Sequence, residues 1–492
     1  MTTPHVPPPS GRASEASVAC GAPHVLVIAY DFPPHAAIGT MRTLRLVRHM
    51  CALGWRVDVL TGSPETYLPG TPVDHALETR VPSDVAVLRA PALRGFDRLT
   101  RALRRGRGEP SPPGATPSGA AADRDPRRDP LLWLRQAKDW VDLNLSLPDK
   151  ESGWILPATL RGIRHMLAHG HPDVIYSSAP PWSGQIVAHN LARFARRPWV
   201  ADFRDPWARA PWRDWHGTLR HRAIAQMERA VVRRADALLF VTRANLEEFA
   251  SFYGEHAARR FHLVPNGCDP TEFEGGASPD PDGPFVLLHA GSFYGPRTPL
   301  PIIRSIARLI DSGAIDASRV RLRLLGTVSP SMNLADECRR LGVHEVVEFV
   351  PRVHRGESLI EVQKASALLL VQTGTIVSIP GKAYEYLAAG RPILALSEEG
   401  ETAELVRASG IGLSVSPLAP AEQIDAMLLG VMKMARGEYQ RPDNRLYDGR
   451  VHAATAATIV EGFVPPHRRL PLAAQAPVVE PPLAHSSEEV TR

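Results

Sequence analysis

Short, almost wholly apolar runs recur along this chain and alternate with stretches whose apolar residues return every three or four positions. From residue 25 the runs are VLVIAY, VDVLTG, VAVLRA, VIYSS, WVADF, ALLFV and FHLVPN; from Phe285 they are FVLLHAG, VRLRLLG, VVEFV, ALLLVQ, PILAL and GLSV. Runs of this kind are buried strands, and their alternation with helical periodicity predicts parallel α/β sheets. Two series predict two domains, 23–270 and 285–450, joined by a turn-rich hinge at 271–284. Residues 1–22, 464–492 and an inner stretch at about 106–130 are rich in Pro, Ala and polar residues without periodicity, and are expected to be disordered.

Composition narrows the class. At 492 residues, 44% of them hydrophobic, the chain exceeds one ordinary core and fits two domains with tails. No run of eighteen apolar residues is present, and the first 22 residues lack the basic-then-apolar order of a secretory signal. Cys20, Cys51, Cys268 and Cys338 are too scattered for a disulfide framework, so a cytoplasmic location is expected. The Asp-x-Asp pairs Asp123 with Asp125 and Asp280 with Asp282 both lie in Pro-rich stretches, so no metal site is expected.

Three segments carry candidate chemistry. In SIPGKAYEYLAAGRPILAL, Ser378 to Leu396, Gly381 and Lys382 open a helix, so amide N–H groups and an ammonium converge where an anion would sit. Glu385, one turn on, is placed to accept from hydroxyls beside that anion; an ordinary helix with a surface Glu and Lys is the alternative. In LLHAGSFYGPR, Gly291 and Arg297 follow a strand, and Arg297 opposite Lys382 would clamp a diphosphate between two cations. In ADFRDPW, Asp202, Arg204 and Asp205 end a buried strand and are expected to point into the cleft, with Asp205 as a base; a structural Arg204–Asp205 pair is the alternative. Near the N-terminus, Gly39 leaves room for a ligand at the first helix and Arg42 sits in its first turn, unless the loop is tight and ligand-free. No GxGxxG follows a strand, which excludes the nicotinamide and flavin fingerprint.

In order and spacing these segments, together with PDKESGW at Pro148 to Trp154 and LVPNGCDPTEF, resemble the retaining GT-B glycosyltransferases of family 4 from His24 to about Phe463. The resemblance implies two Rossmann-like domains facing across a cleft and a helix at 451–463 that returns to the first domain. It further implies a nucleotide-sugar donor, expected to be a UDP-sugar, with Glu385 on the ribose and Arg352 and Val353 beside the base. No cofactor or metal is expected. Two features depart from the family pattern: Ser292 and Arg297 stand where relatives show Arg and Lys, and Val377 stands where many carry a first glutamate, with seven residues between it and Glu385. Front-face attack, in which the leaving diphosphate takes the acceptor proton, is the alternative to a base.

The net charge of +5 is uneven. Arg94, Arg98, Arg101, Arg104, Arg105 and Arg107 interleave with Phe96, Leu99 and Leu103 at helical spacing, with Trp133 and Trp140 further on. Such a segment suits an anionic membrane surface, or else a solvated Arg face; no nucleic-acid motif accompanies it. The expectation is a cytoplasmic glycosyltransferase, peripheral at the inner membrane face, acting on a lipid-linked acceptor in cell-surface polysaccharide or glycolipid assembly. The alternatives are a soluble small-molecule acceptor and a non-catalytic binding protein.

Overall fold

A computed structural model describes residues 21–93, 147–211, 216–293 and 295–469. The predicted runs form two all-parallel sheets. In the first, β1 (His24–Ile28), β2 (Arg56–Gly62), β3 (Ala86–Ala90), β4 (Val174–Ala179), β5 (Trp199–Phe203), β6 (Ala237–Phe240) and β7 (Phe261–Leu263) take the order β3-β2-β1-β4-β5-β6-β7. In the second, β8 (Phe285–Ala290), β9 (Val320–Leu325), β10 (Val347–Val350), β11 (Ala367–Gln372), β12 (Ile393–Ser397) and β13 (Gly412–Val415) take the order β10-β9-β8-β11-β12-β13. Strand order reverses between β1 and β4 and between β8 and β11. Loops at such switch points splay apart and leave a crevice for a ligand, which selects the loops after β1, β4, β8 and β11.

Each sheet is covered on both faces, as an apolar parallel sheet must be. One face of the first sheet packs Met166, Leu191, Ile224 and Val231 from the helices Ile155–His169, Ser183–Ala195 and Leu219–Arg234. Its other face packs Leu44, Val47 and Met50 from Ile38–Ala52 beside Ala456, Ala457 and Val460 from Gly449–Glu461. The last helix therefore belongs to the core of the first domain.

Two boundaries differ from expectation. The stretch 271–284, expected to be the hinge, is held on the second domain: Phe273 packs against its core, and Gln363 Oε1 accepts from Ala277 N at 3.0 Å. The chain crosses between domains just before it, at Gly267–Cys268, and again at Tyr447–Gly449. These crossings pair with each other, Cys268 N donating to Tyr447 O at 2.9 Å and Gly449 N to Cys268 O at 2.8 Å. A Cβ on Gly267 would stand 2.6 Å from the Gly449 α-carbon, so glycine lets the two crossings touch. The C-terminal stretch expected to be disordered from 464 is instead docked through 469: Val464 is 1% exposed, and Arg468 reaches both oxygens of buried Asp173 at 3.0 Å. The segment 94–107, the stretch 106–130 and the pair Asp123 with Asp125 lie outside the described residues.

Candidate active site

On the second domain the switch-point loops build a cationic corner. His289, last but one in β8, is buried; its Nδ1–H donates to Leu369 O at 2.8 Å, which leaves Nε2 as an acceptor 3.2 Å from Lys382 Nζ. Burial, with Lys382 alongside, holds the His289 pKa well below its ordinary value, so the ring is neutral. Burial, with Arg297 adding to it and Glu385 opposing, pulls the Lys382 ammonium down to about 8. Gly291 has φ +144°, and a Cβ there would fall on the Lys382 ammonium, so both backbone and space require glycine. Gly381 begins the helix Gly381–Ala389 that carries Lys382, and its amide end faces the same corner. Gly291, Arg297, Gly381 and Lys382 are thus brought together.

Glu385 lies one turn along that helix and accepts from Arg355 Nη1 at 2.7 Å, while Arg355 Nη2 reaches Glu272 at 2.7 Å. Arg352 and Val353 follow β10 three and two residues before Arg355, so their loop lies beside Glu385; Arg352 is exposed and Val353 packs on the domain core. At position 377 the backbone is used: Thr242 Oγ1, just after β6 of the first domain, donates to Val377 O at 2.8 Å. Ala244 N bonds the Glu401 carboxylate nearby, and burial raises the pKa of that acid. These two contacts bring the C-terminal edges of the two sheets face to face.

The first domain's charges are arranged differently. Asp202 does not point into the cleft. It is fully buried and accepts from Arg42 Nε and Nη2 at 2.8 and 2.9 Å, from Tyr176 Oη at 2.9 Å and from Ser178 Oγ at 2.9 Å. Arg42 also donates to Val264 O at 3.0 Å and Pro265 O at 2.8 Å, so the pair locks the chain leading to the crossing at Gly267. Two charges out of water persist only when so fully bonded, which makes Asp202 and Arg42 structural. Arg204 turns to Asp31 at 3.2 Å and to Pro180 O, and its guanidinium fills the space over Gly39. Glycine at 39 therefore makes room for Arg204 where a ligand was expected. Asp205 is half-buried at the end of the same strand.

Sequence reasoning passed over several of these residues. His289 interrupts an otherwise apolar run, a readable signal. Asp149, in PDKESGW, accepts from Ser183 N at 2.9 Å and Ser183 Oγ at 2.6 Å and so fixes the start of the helix Ser183–Ala195; burial raises its pKa. Arg355 and Asp31 gave no local signal, since their partners are remote in sequence. His165 and His169 stand four apart and their rings stack at 4.5 Å, but Asp58 takes His165 at 2.6 Å, and among the described residues no group of three His, Cys, Asp or Glu is set to hold a metal. A cavity of about 260 Å³, lined by Asp280, Arg323, Glu361 and Lys364 among others, lies at the opposite end of β8 from Gly291 and is separate from the cleft.

Residues 114–267 match a family model described as a glycosyl transferase 4-like domain. A search of curated protein sequences found no match. Among solved structures, Anabaena HepE in complex with UDP shares 14% identity over 89% of this chain and 98% of that one, with a TM-score of 0.51. Sucrose-phosphate synthase from Thermosynechococcus elongatus shares 16% over 90% and 96%, at 0.53. A UDP-forming α,α-trehalose-phosphate synthase from Burkholderia vietnamiensis shares 14% over 89% and 95%, at 0.51. At these identities the likeness establishes a common fold.

Proposed function

From a GT-B fold that carries a glycosyl transferase 4-like domain, we propose that this protein is a retaining glycosyltransferase that moves a sugar from a UDP-sugar to an acceptor in cell-surface polysaccharide or glycolipid assembly. The observation that carries the reading is the corner under Gly291, where Lys382, Arg297 and the opening of the helix Gly381–Ala389 converge with Glu385 one turn away. A sugar nucleotide presents a diphosphate with a ribose next to it, an anion for the corner and hydroxyls for Glu385. HepE is in complex with UDP on the same fold, which makes UDP the first nucleotide to test.

In this mechanism the two cations and the helix end hold the diphosphate and stabilise the charge it gains as the glycosidic bond breaks. Neutral His289 accepts from Lys382 and aims it without adding a competing charge. Glu385 takes the ribose hydroxyls, releasing Arg355 to do so. The protein supplies its own positive charge, so no metal or cofactor is assigned. The leaving diphosphate oxygen, on the face the acceptor approaches, takes the acceptor hydroxyl proton; Asp205 is the other candidate base. With Val377 in place of a carboxylate, the backbone N–H groups of Ser378, Ile379 and Gly381 hold the sugar. The acceptor is assigned as lipid-linked and met at the inner membrane face. Among the described residues no helix is long and apolar enough to cross a membrane.

Calorimetric titration of UDP, GDP and ADP, repeated on Glu385→Ala, tests the site. UDP is expected to bind, and the variant to lose on the order of 10- to 100-fold in affinity, the worth of hydrogen bonds to a charged group. UDP at 100 times its dissociation constant should raise stability by about 2.7 kcal/mol, visible in a melting scan. Failure of all three nucleotides to bind would sink the donor site. A second reading, a non-catalytic sugar-nucleotide binder, is favoured by Val377 and by the burial of Asp202; any donor hydrolysis or transfer eliminates it.

A further inference from the structure

Among the described residues, three helices cover one face of the first sheet, Ile155–His169, Ser183–Ala195 and Leu219–Arg234. The first two contain no Asp or Glu, and the third contains Glu228 alone, fully buried and bound by Arg209 and Tyr253. Arg161, Arg164, Arg193, Arg222 and Arg233 stand exposed on these helices, so within the three helices the exposed charges are all cations; Arg234, at the end of the third, pairs with Asp236 just beyond it.

The helix Ile155–His169 also carries apolar surface that the core does not use. Ala158, Gly162 and Met166 form its buried side, and a Cβ on Gly162 would stand 2.6 Å from Leu191 Cδ1, so the helix already sits as close to its neighbour as it can. Leu156, Leu160 and Leu167 are 60%, 51% and 69% exposed. Spaced by four and seven, they form one stripe roughly 17 Å long at the 1.5 Å rise per residue, and Arg164 stands one turn from both Leu160 and Leu167. Phe194, on the adjacent helix beside Arg193, is exposed as well. A stripe of leucines edged by arginines and free of acids is the composition of a helix that lies in a headgroup layer.

Direction matters too. Asp149 ties the turn before this helix to the start of Ser183–Ala195, at the cleft end of β4, and the helix then runs back toward the start of that strand. Leu156 therefore sits at the cleft rim. We infer that this face docks on an anionic lipid bilayer, the leucines entering the interface and the arginines meeting lipid phosphates, so that the cleft opens beside the membrane. The purpose of this docking rests on the reading of a lipid-linked acceptor; the docking itself is measured without donor or acceptor.

Sedimentation of the full chain with vesicles of phosphatidylcholine alone, and of equal parts phosphatidylcholine and phosphatidylglycerol, tests it. Binding is expected to the anionic vesicles only. The triple variant Leu156→Ser, Leu160→Ser, Leu167→Ser should bind on the order of 100-fold more weakly as its buried apolar area is lost. The double variant Arg161→Gln, Arg164→Gln should lose about five-fold per arginine, the worth of one cation at an anionic surface. Both should keep the wild-type melting curve and UDP titration. Absence of vesicle binding, or vesicle binding untouched by the leucine changes, overturns the proposal. It is overturned equally if the face binds RNA through its arginines without need of the leucines, or if light scattering shows a dimer that the leucine changes dissociate. If no nucleotide binds yet the vesicle results hold, the enzyme reading fails and the docking surface stands.

Discussion

The two sides of the cleft carry similar sets of charges and use them in opposite ways. On the second domain, Lys382 and Arg297 are both positive, lie close enough to oppose each other's charge, and share a neutral histidine as the acceptor for the lysine. On the first domain, Asp202 is consumed by Arg42, and Arg204 turns to Asp31. In the first arrangement the partner of the Lys382 ammonium is a neutral ring, which leaves that charge for a ligand to satisfy; the second has already spent its charge on the fold. Burial alone does not separate them, since His289 and Asp202 are equally inaccessible. The difference is whether the charged group's partners are complete.

The largest effect should come from the completed side. Asp202→Ala leaves Arg42 buried and unpaired, and is expected to lower stability by about 3–5 kcal/mol, the cost of breaking a buried pair from one side. Denaturant melts would show this; a change within about 0.5 kcal/mol, the range of an ordinary surface substitution, would erase the distinction drawn between the two sides. The pair also ties β5 to the chain that enters the crossing at Gly267, so Asp202→Ala should loosen the pivot before it touches donor binding.

This contrast explains what was legible in the sequence. All the strands were readable: the central ones are continuous apolar runs because both their faces are buried, and those nearer the edges, such as Val320–Leu325 and Val347–Val350, keep enough apolar positions between turn residues to stand out. Lys382 and Glu385 were readable because a helix start and one helical turn fix their relation locally. Asp202 was misread because its partners come from positions 42, 176 and 178, brought together only by the strand order β1-β4-β5. The pivot was misread for the same reason: turn residues mark 271–284, but Phe273 and Gln363 attach that stretch to the second domain through contacts no local pattern announces. Arg468, in a segment of disordered composition, is held by Asp173 nearly three hundred residues earlier.

A smaller but sharper effect should follow from Lys382→Met. Its folded pKa, about 8, lies below the ordinary lysine value of 10.5, so the unfolded chain holds this proton more tightly than the folded one. Between those values the unfolded state binds more protons, and stability attributable to this residue rises with pH from about 8 upward; below that range the full penalty of a buried ammonium is present. Lys382→Met should therefore be more stable than wild type at neutral pH, with the gap closing as pH approaches 10. Donor turnover should fall in the opposite sense, by on the order of 100-fold as for loss of one preorganised charge donor, and wild-type UDP affinity should itself weaken above about pH 8 as the ammonium is lost. A variant both less stable and less active would mean that Lys382 belongs with the completed pairs.

The smallest effect tests where the boundary between the two behaviours falls. Arg355 bridges Glu272 and Glu385, but its own side chain is half exposed. An exposed ion pair contributes about 0–1 kcal/mol, so Arg355→Ala should change the melting temperature little. If Glu385 must release Arg355 to take a ribose, removing the arginine should tighten UDP binding a few-fold; if the arginine instead positions Glu385 for the ribose, binding should weaken. Titration of UDP into Arg355→Ala therefore tells whether this pair stands with the charges the fold has spent or with those it holds in reserve, and tightening is the outcome expected from a partner that water already reaches.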